Sequence, residues 1–179
     1  MMRIAARGFT ACFRRIAAVE GPLALLDELL VVFWATVPIG ELRTAVPLGI
    51  VSYDLSWPAV FLLAALGNML PIPAVLYLLR TIGVRIEHWD NAMGRLLRWR
   101  TSRIELTWGA RVRRYGFVGV MLIVAIPLPF TGAWTGSLAV WALHVPVRRG
   151  LPAIFAGVLI ADVIVTTLTL AGVELVKLV

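Results

Sequence analysis

Cysteine, histidine and lysine are scarce in this chain of 179 residues. Cys12 is the single cysteine, so the sequence excludes an intrachain disulfide and a cysteine metal motif. His88 and His144 lie too far apart in sequence to indicate a metal site. Hydrolase motifs and phosphate-binding loops are also missing. We therefore expect no cofactor, no metal and no enzymatic activity.

What the chain has instead is apolar sequence interrupted by arginine. Hydrophobic residues make up 60% of it, and the mean hydropathy is +0.90, which indicates an integral membrane protein. Lys and Arg outnumber Asp and Glu by 17 to 10, for a net charge of +7. The arginines gather between apolar runs, where the positive-inside effect explains them better than nucleic-acid binding does. We expect a multi-pass protein of the cell (inner or plasma) membrane with no nucleic-acid partner.

Four regions follow from the distribution of apolar and basic residues. Residues 1–22 form a basic amphipathic segment that lies on the membrane, with a signal peptide as the competing interpretation. Residues 23–80 form a first repeat, and residues 81–114 an Arg- and Trp-rich connector that lies on cytoplasmic headgroups. Residues 115–179 form a second repeat. The positive-inside effect predicts that both basic regions, 1–22 and 81–114, are cytoplasmic. A re-entrant segment plus one crossing would place them on opposite sides of the membrane, and the sequence does not resolve this conflict.

Apolar run lengths separate full crossings from shorter segments. Residues 57–79 and 151–170 are long enough to cross a bilayer core of about 30 Å. The apolar runs 29–37 and 117–126 make only about 15 Å of helix each, which reaches the midplane. We predict a re-entrant hairpin at each short run, with a single kinked crossing as the alternative for the first.

Each short run ends in backbone that is a poor helix former. Prolines lack the amide donor and glycines add backbone freedom, so in lipid such segments must be buried in protein or face water. These residues are candidates for a substrate path, although Gly-x-x-x-Gly spacing also suits close helix contact. The broken-segment residues are Pro38 and Pro47 in the first segment and Pro127, Pro129, Thr131, Gly132, Trp134, Thr135 and Gly136 in the second.

Polar residues at membrane depth are the candidates for coupling. Glu41, Arg43 and Asp162 are costly in a bilayer unless partners or water satisfy them. Glu41 is either a proton or cation acceptor or half of a fold-holding ion pair with Arg43. Asp162 is a coupling carboxylate or a hydrogen-bonded helix contact, and Asn68 favours the packing role.

The two repeats share an order of features. Pro58-Ala59-Val60-Phe61 aligns with Pro152-Ala153-Ile154-Phe155 at an offset of 94, which also pairs Asn68 with Asp162. Val37–Gly40 aligns with Ile126–Pro129 at an offset of 89. A hairpin plus one crossing makes an odd number of passes, so the second copy is inverted. The predicted fold is an all-α integral membrane protein with an inverted duplication, each copy a re-entrant helical hairpin plus a transmembrane helix, with amphipathic interfacial helices.

Several strings in the sequence resemble the small multidrug export family. They are Pro38-Ile39-Gly40-Glu41-Leu42-Arg43, Leu66-Gly67-Asn68, Tyr115-Gly116 and Thr131-Gly132-Ala133-Trp134-Thr135-Gly136. The resemblance implies two facing re-entrant loops and ion-coupled transport or lipid translocation. It also implies a distant relation to the DedA superfamily, in which an acidic residue near the first broken segment would correspond to Glu41. DedA proteins tend to carry arginine in the second broken segment, and Phe130 to Gly136 contains none.

These features support three function classes. The first is a proton- or cation-coupled transporter that moves a small amphipathic or drug-like solute through a midplane site formed by the two broken segments. The second is a phospholipid or polyprenyl-phosphate scramblase or flippase of DedA type. The third is a structural or assembly subunit, which the small-residue motifs would suit. Because so short a chain encloses little path, we expect a homodimer.

Overall fold

Helices form all of the secondary structure in the part of the chain that is described. The structure is a computed structural model that describes residues 22–83, 85, 91–126 and 132–178. The helices are α1 (Pro22–Thr36), α2 (Glu41–Pro47), α3 (Trp57–Met69), α4 (Ile72–Leu78), α5 (Ala92–Tyr115), α6 (Phe117–Ala125), α7 (Ala133–Ala142) and α8 (Val147–Leu178). Short π-helical segments follow α2 at Leu48–Ser52 and α4 at Leu79–Gly83. The predicted N-terminal amphipathic segment lies outside the described residues.

Among the described residues, two stretches of helix are long and apolar enough to cross a membrane. They are Trp57–Gly83, with a hydropathy of 2.0, and Val147–Lys177, with a hydropathy of 2.2. Both contain the crossings predicted from the sequence and extend beyond them. The all-helical class is therefore confirmed, with two membrane-capable helices, and the predicted inversion and re-entry stay predictions.

The predicted first break lies between α1 and α2. α1 ends at Thr36 and α2 begins at Glu41, so Pro38 lies in the non-helical connection. α2 packs back against α1, and Pro47 ends α2 where the π-helical segment takes over. Pro47 has no amide to donate within the helix, which is consistent with the change of helix type at this residue.

The second break is shorter than the sequence indicated. We expected irregular backbone as far as Gly136, but α7 begins at Ala133 and packs against α6. Gly132 has φ 139°, a conformation that suits glycine, and the chain becomes helical directly after it. Trp134, Thr135 and Gly136 therefore lie on a helix, which fixes the direction of their side chains. Pro127, Pro129 and Thr131 lie outside the described residues.

The described chain divides into two compact units. The first comprises Met1–Gly67 with Val165–Val179, of which residues 1–21 and 179 are not described, and the second comprises Asn68–Ile164. In the first unit α2 packs on α1. In the second, α5 packs on α6 and α7, and α4 packs on α7.

Helix α5 of the connector has two different faces. One face, with Thr101, Ile104 and Val112, is buried. Leu96, Trp99 and Leu106 lie on the other face and are more than half exposed. An exposed apolar stripe beside arginine is typical of a helix at the membrane interface.

Three pairs of positions in the proposed repeat are fully buried in both copies. Val60, Ala64 and Asn68 occupy one face of α3 at intervals of four residues, and all three are fully buried. The residues paired with them by the offset of 94, Ile154, Val158 and Asp162, are fully buried on α8 as well. Each crossing thus carries a polar residue at the same place in an otherwise apolar buried column.

A proline inside the first crossing explains one long-range hydrogen bond. Pro71 has no N–H, so the Gly67 carbonyl four residues earlier loses its usual helical donor. The Thr36 hydroxyl donates to this carbonyl at 2.9 Å and also to the Val32 carbonyl at 2.9 Å. A methyl group on Gly67 would approach the Val32 carbonyl to 2.7 Å, so α1 and α3 meet with glycine at the contact.

Replacing the Thr36 hydroxyl tests whether this bond holds the kinked helix to α1. Thr36→Val keeps the shape and removes the donor, so we expect a loss of about 0.6 to 1.7 kcal/mol of stability. Thr36→Ser keeps the hydroxyl and is the matched control. Thermal unfolding in detergent measures the effect, and a Thr36→Val protein as stable as Thr36→Ser contradicts the role.

Candidate functional site

Glu41 is a buried carboxylate at the first residue of α2. Its side chain is only 6% exposed, and its backbone has φ 51°, which is uncommon for a residue with a side chain. The preceding residue, Gly40, approaches Thr44 so closely that a methyl group there would lie 2.7 Å from the Thr44 hydroxyl. Glu41 is therefore a buried residue with left-handed backbone at the end of the break between α1 and α2.

Arg43 supplies the positive charge that Glu41 needs. It is partly buried two residues along α2, and the charges of the two side chains interact. Residues two apart do not face each other on a regular helix, but Glu41 has left-handed backbone and so departs from that geometry. The structure thus brings together the two residues that the sequence singled out in the first broken segment.

Asn68 brings an uncompensated amide into the second unit. It is fully buried at the end of α3, and neither Oδ1 nor Nδ2 makes a hydrogen bond to the described residues. An unmade hydrogen bond of this kind costs about 1 to 3 kcal/mol. Buried polar atoms are normally satisfied, so water or a polar solute is the expected partner. The packing role predicted for Asn68 from sequence does not account for this.

Trp134 presents a second uncompensated donor in the same unit. It lies in the first turn of α7, and its indole N–H is buried without a hydrogen-bond acceptor among the described residues. Asp162 is also fully buried in this unit and takes part in a polar interaction, as does Thr135. The second unit therefore places two hydrogen-bond donors, from an amide and an indole, in the interior.

Gly136 lets three helices of the second unit approach closely. A methyl group at this position would lie 2.5 Å from a methyl carbon of Val124 on α6 and 3.3 Å from Ile154 on α8. Gly157 on α8 is crowded by Val124 in the same way. Ser137 is fully buried next to Gly136 and donates its hydroxyl proton to the Ala133 carbonyl. Gly136 thus lies at a close helix contact, the alternative that the Gly-x-x-x-Gly spacing left open, and its place in a substrate path stays a prediction.

Sequence reasoning missed Thr36 and the polar chemistry of Trp134. For Thr36 the signal was present, because Pro71 leaves the Gly67 carbonyl without a donor and a hydroxyl on a neighbouring helix is the simplest replacement. For Trp134 no local signal existed, since burial of an indole N–H depends on which helices surround it.

The described residues contain no cluster of three or more His, Cys, Asp or Glu side chains that would hold a metal ion. The polar groups above are instead suited to holding a proton, a water molecule or the polar part of a solute.

The comparison with known families identifies the family of the chain. A family model described as "Putative small multi-drug export protein" matches residues 41–164, which is more than half of the chain. The chain belongs to this family. The matched region begins at Glu41 and includes Asp162, so both of these candidate residues lie within the family region. Neither the curated proteins nor the solved structures include a match to the chain.

A methyl group at Gly136 tests the helix contact. Val124 has little rotamer freedom on a helix, so Gly136→Ala should force the helices apart and cost about 1 to 3 kcal/mol. Gly172→Ala is the matched control, because nothing lies within 4 Å of that position and alanine favours helix. Thermal unfolding in detergent should show a lower transition for Gly136→Ala alone; equal transitions would contradict the close contact.

Proposed function

We propose that this small multidrug export protein is an ion-coupled membrane transporter for small amphipathic solutes. Its family and its membrane-capable helices support the transporter class. The proposed coupling group is Glu41, with Arg43 as its counter-charge. The short chain supports a homodimer as the working form.

The observation that carries this proposal is the burial of Glu41 in strained backbone. Desolvation favours the neutral, protonated carboxyl, and a neighbouring arginine favours the charged form, so the two effects oppose each other at this residue. A group balanced in this way changes protonation when its access to water or its distance from Arg43 changes. Alternating access supplies such changes.

The second unit supports a role for polar groups in solute binding. Asn68 and Trp134 present buried donors with no acceptor among the described residues. A solute that accepts hydrogen bonds would pair with the donors of Asn68 and Trp134. We propose that Asp162 adds negative charge in this unit, which favours solutes that also carry a cation.

The test uses proteoliposomes with ethidium as a cationic amphipathic probe and an imposed pH gradient. The wild-type protein should move ethidium, and Glu41→Gln should reduce gradient-driven flux by about tenfold or more because the amide cannot exchange a proton. Glu174→Gln is the matched control, since Glu174 is an exposed carboxylate paired with Lys177. Full gradient-driven flux in Glu41→Gln would rule out the coupling role.

Variants of Arg43 distinguish a coupling role of Glu41 from a purely structural role of the Glu41–Arg43 pair. Arg43→Gln leaves the buried carboxylate without its counter-charge and should lower thermal stability. The double variant Glu41→Gln with Arg43→Gln removes both charges and should recover that stability. If the pair only holds the fold, the double variant also recovers flux; if Glu41 couples transport, stability returns and flux does not.

Lipid translocation is the second candidate, and α5 favours it. This helix presents an apolar stripe and arginines to its surroundings, with Arg100 and Arg103 over the Trp99 ring at 5.5 and 5.8 Å. A helix of this kind contacts headgroups and is consistent with the resemblance to DedA proteins.

Dithionite bleaching of fluorescent headgroup-labelled phospholipid tests this candidate. In vesicles without protein only the outer leaflet bleaches, and a scramblase would make the inner leaflet accessible as well. If the protein leaves the bleached fraction unchanged, lipid translocation is excluded and the solute transporter stands.

A further inference from the structure

A polar cavity in the second unit is lined by none of the candidate transport residues described above. Its volume is about 730 Å³, which is within the range of small-molecule sites. Apolar side chains from α4, α7 and the start of α8 form much of its wall. Its polar and aromatic lining comes from Arg80, Thr101, Ser102, Glu105, Trp141 and His144.

The cavity lies where two membrane-capable helices end. Arg80 belongs to the last turns of the crossing Trp57–Gly83, and Val147 begins the helix that continues as the other crossing. The third wall is the arginine-rich helix α5. Ends of apolar helices flanked by arginine are typical of the boundary between hydrocarbon and headgroups. A single ligand at that boundary could therefore contact both the apolar wall and the polar wall of the cavity.

The charges around the cavity favour an anion. Within the described residues, the Arg80 guanidinium and the His144 imidazole have no hydrogen-bond or ion-pair partner, whereas Glu105 already takes part in a polar interaction. Arg148 and Arg149 are exposed directly after the lining residue Val147. The hydroxyl protons of Thr101 and Ser102 are used by carbonyls of α5 itself. The available donors are thus Arg80 and His144.

His144 has backbone that would favour glycine. The His144 N–H donates to the Trp141 carbonyl at 3.1 Å, and the Val145 N–H donates to the Val140 carbonyl at 2.9 Å. This pair of bonds is the Schellman end of a helix, and the residue in the left-handed position is most often glycine. Here that residue is histidine with φ 54°. The fold does not need a side chain at this position, and the imidazole lines the cavity.

We propose that this cavity binds the phosphate group of an anionic amphiphile, with Arg80 and His144 as its donors. The apolar wall receives the adjoining hydrocarbon or glycerol portion. The phosphate comes from a phospholipid of the bilayer or from a soluble phosphate ester. This binding site does not depend on Glu41 or on the proposed transport activity.

The test is isothermal titration calorimetry on the full chain in a neutral maltoside detergent. The probes are dioctanoyl phosphatidylglycerol for the lipid source, glycerol 3-phosphate for the soluble source and dodecyltrimethylammonium as an amphiphile of opposite charge. Arg80→Gln should weaken phosphate binding by about tenfold, the value of one charge-assisted hydrogen bond. Arg95→Gln is the matched control, because Arg95 is exposed on α5 outside the cavity lining.

His144→Gly is a second variant that should remain folded, because glycine suits the left-handed backbone conformation at this position. It should keep or raise the thermal transition while weakening phosphate binding by at least about threefold, the smaller effect of a neutral donor. Weakening confined to the lipid probe assigns the site to phospholipid, and weakening confined to glycerol 3-phosphate assigns it to a soluble ester. The proposal is overturned if Arg80→Gln, His144→Gly and Arg95→Gln bind the phosphate probes with equal affinity. It is also overturned if the protein prefers dodecyltrimethylammonium and Glu105→Gln removes that preference.

Discussion

A broken helix in a membrane must find partners for its backbone groups within the protein, and this constraint governs the structure. Pro71 deprives the Gly67 carbonyl of its donor, and Thr36 supplies one from α1. Thr36 is also the last residue of α1, so the bond fixes the chain at the point where the first break begins. Thr36 thus satisfies the carbonyl that Pro71 leaves without a donor and also fixes the start of the first break. The buried Glu41 follows Thr36 by five residues.

Local composition was enough to predict the two crossings, the first break and the buried polar residue in each crossing. Run length and proline position determine these features, and the four-residue spacing from Val60 to Asn68 and from Ile154 to Asp162 marks the buried face. Composition did not predict that α7 begins at Ala133, because the pattern of glycine and proline does not say where a helix resumes. It also missed the unpartnered Asn68 amide, since hydrogen bonding depends on neighbours that are distant in sequence.

The two broken segments differ in the polar groups they carry, although Asp162 is a buried carboxylate elsewhere in the second unit. The first break carries Glu41 and Arg43, whose charges interact, so its polar chemistry concerns protons and charge. The described part of the second break carries no ionisable side chain, and Trp134 contributes a neutral donor from the helix that follows it. Neutral donors hold a solute without changing charge. A division of this kind would assign coupling to the first unit and solute contact to the second, which is the arrangement behind the proposed function.

Residues with side chains in left-handed backbone conformation are informative in this chain, because stability alone would favour glycine there. Three residues with side chains adopt positive φ in the described structure: Glu41, Asp54 and His144. Such a position costs about 1 to 2 kcal/mol relative to glycine, so stability alone would favour glycine at each. Glu41 is a buried carboxylate and His144 lines a cavity, so at these two positions the side chain is retained against that cost. Strained backbone is a weak sign by itself, but strain together with burial or a cavity distinguishes these residues from Asp54, which is exposed.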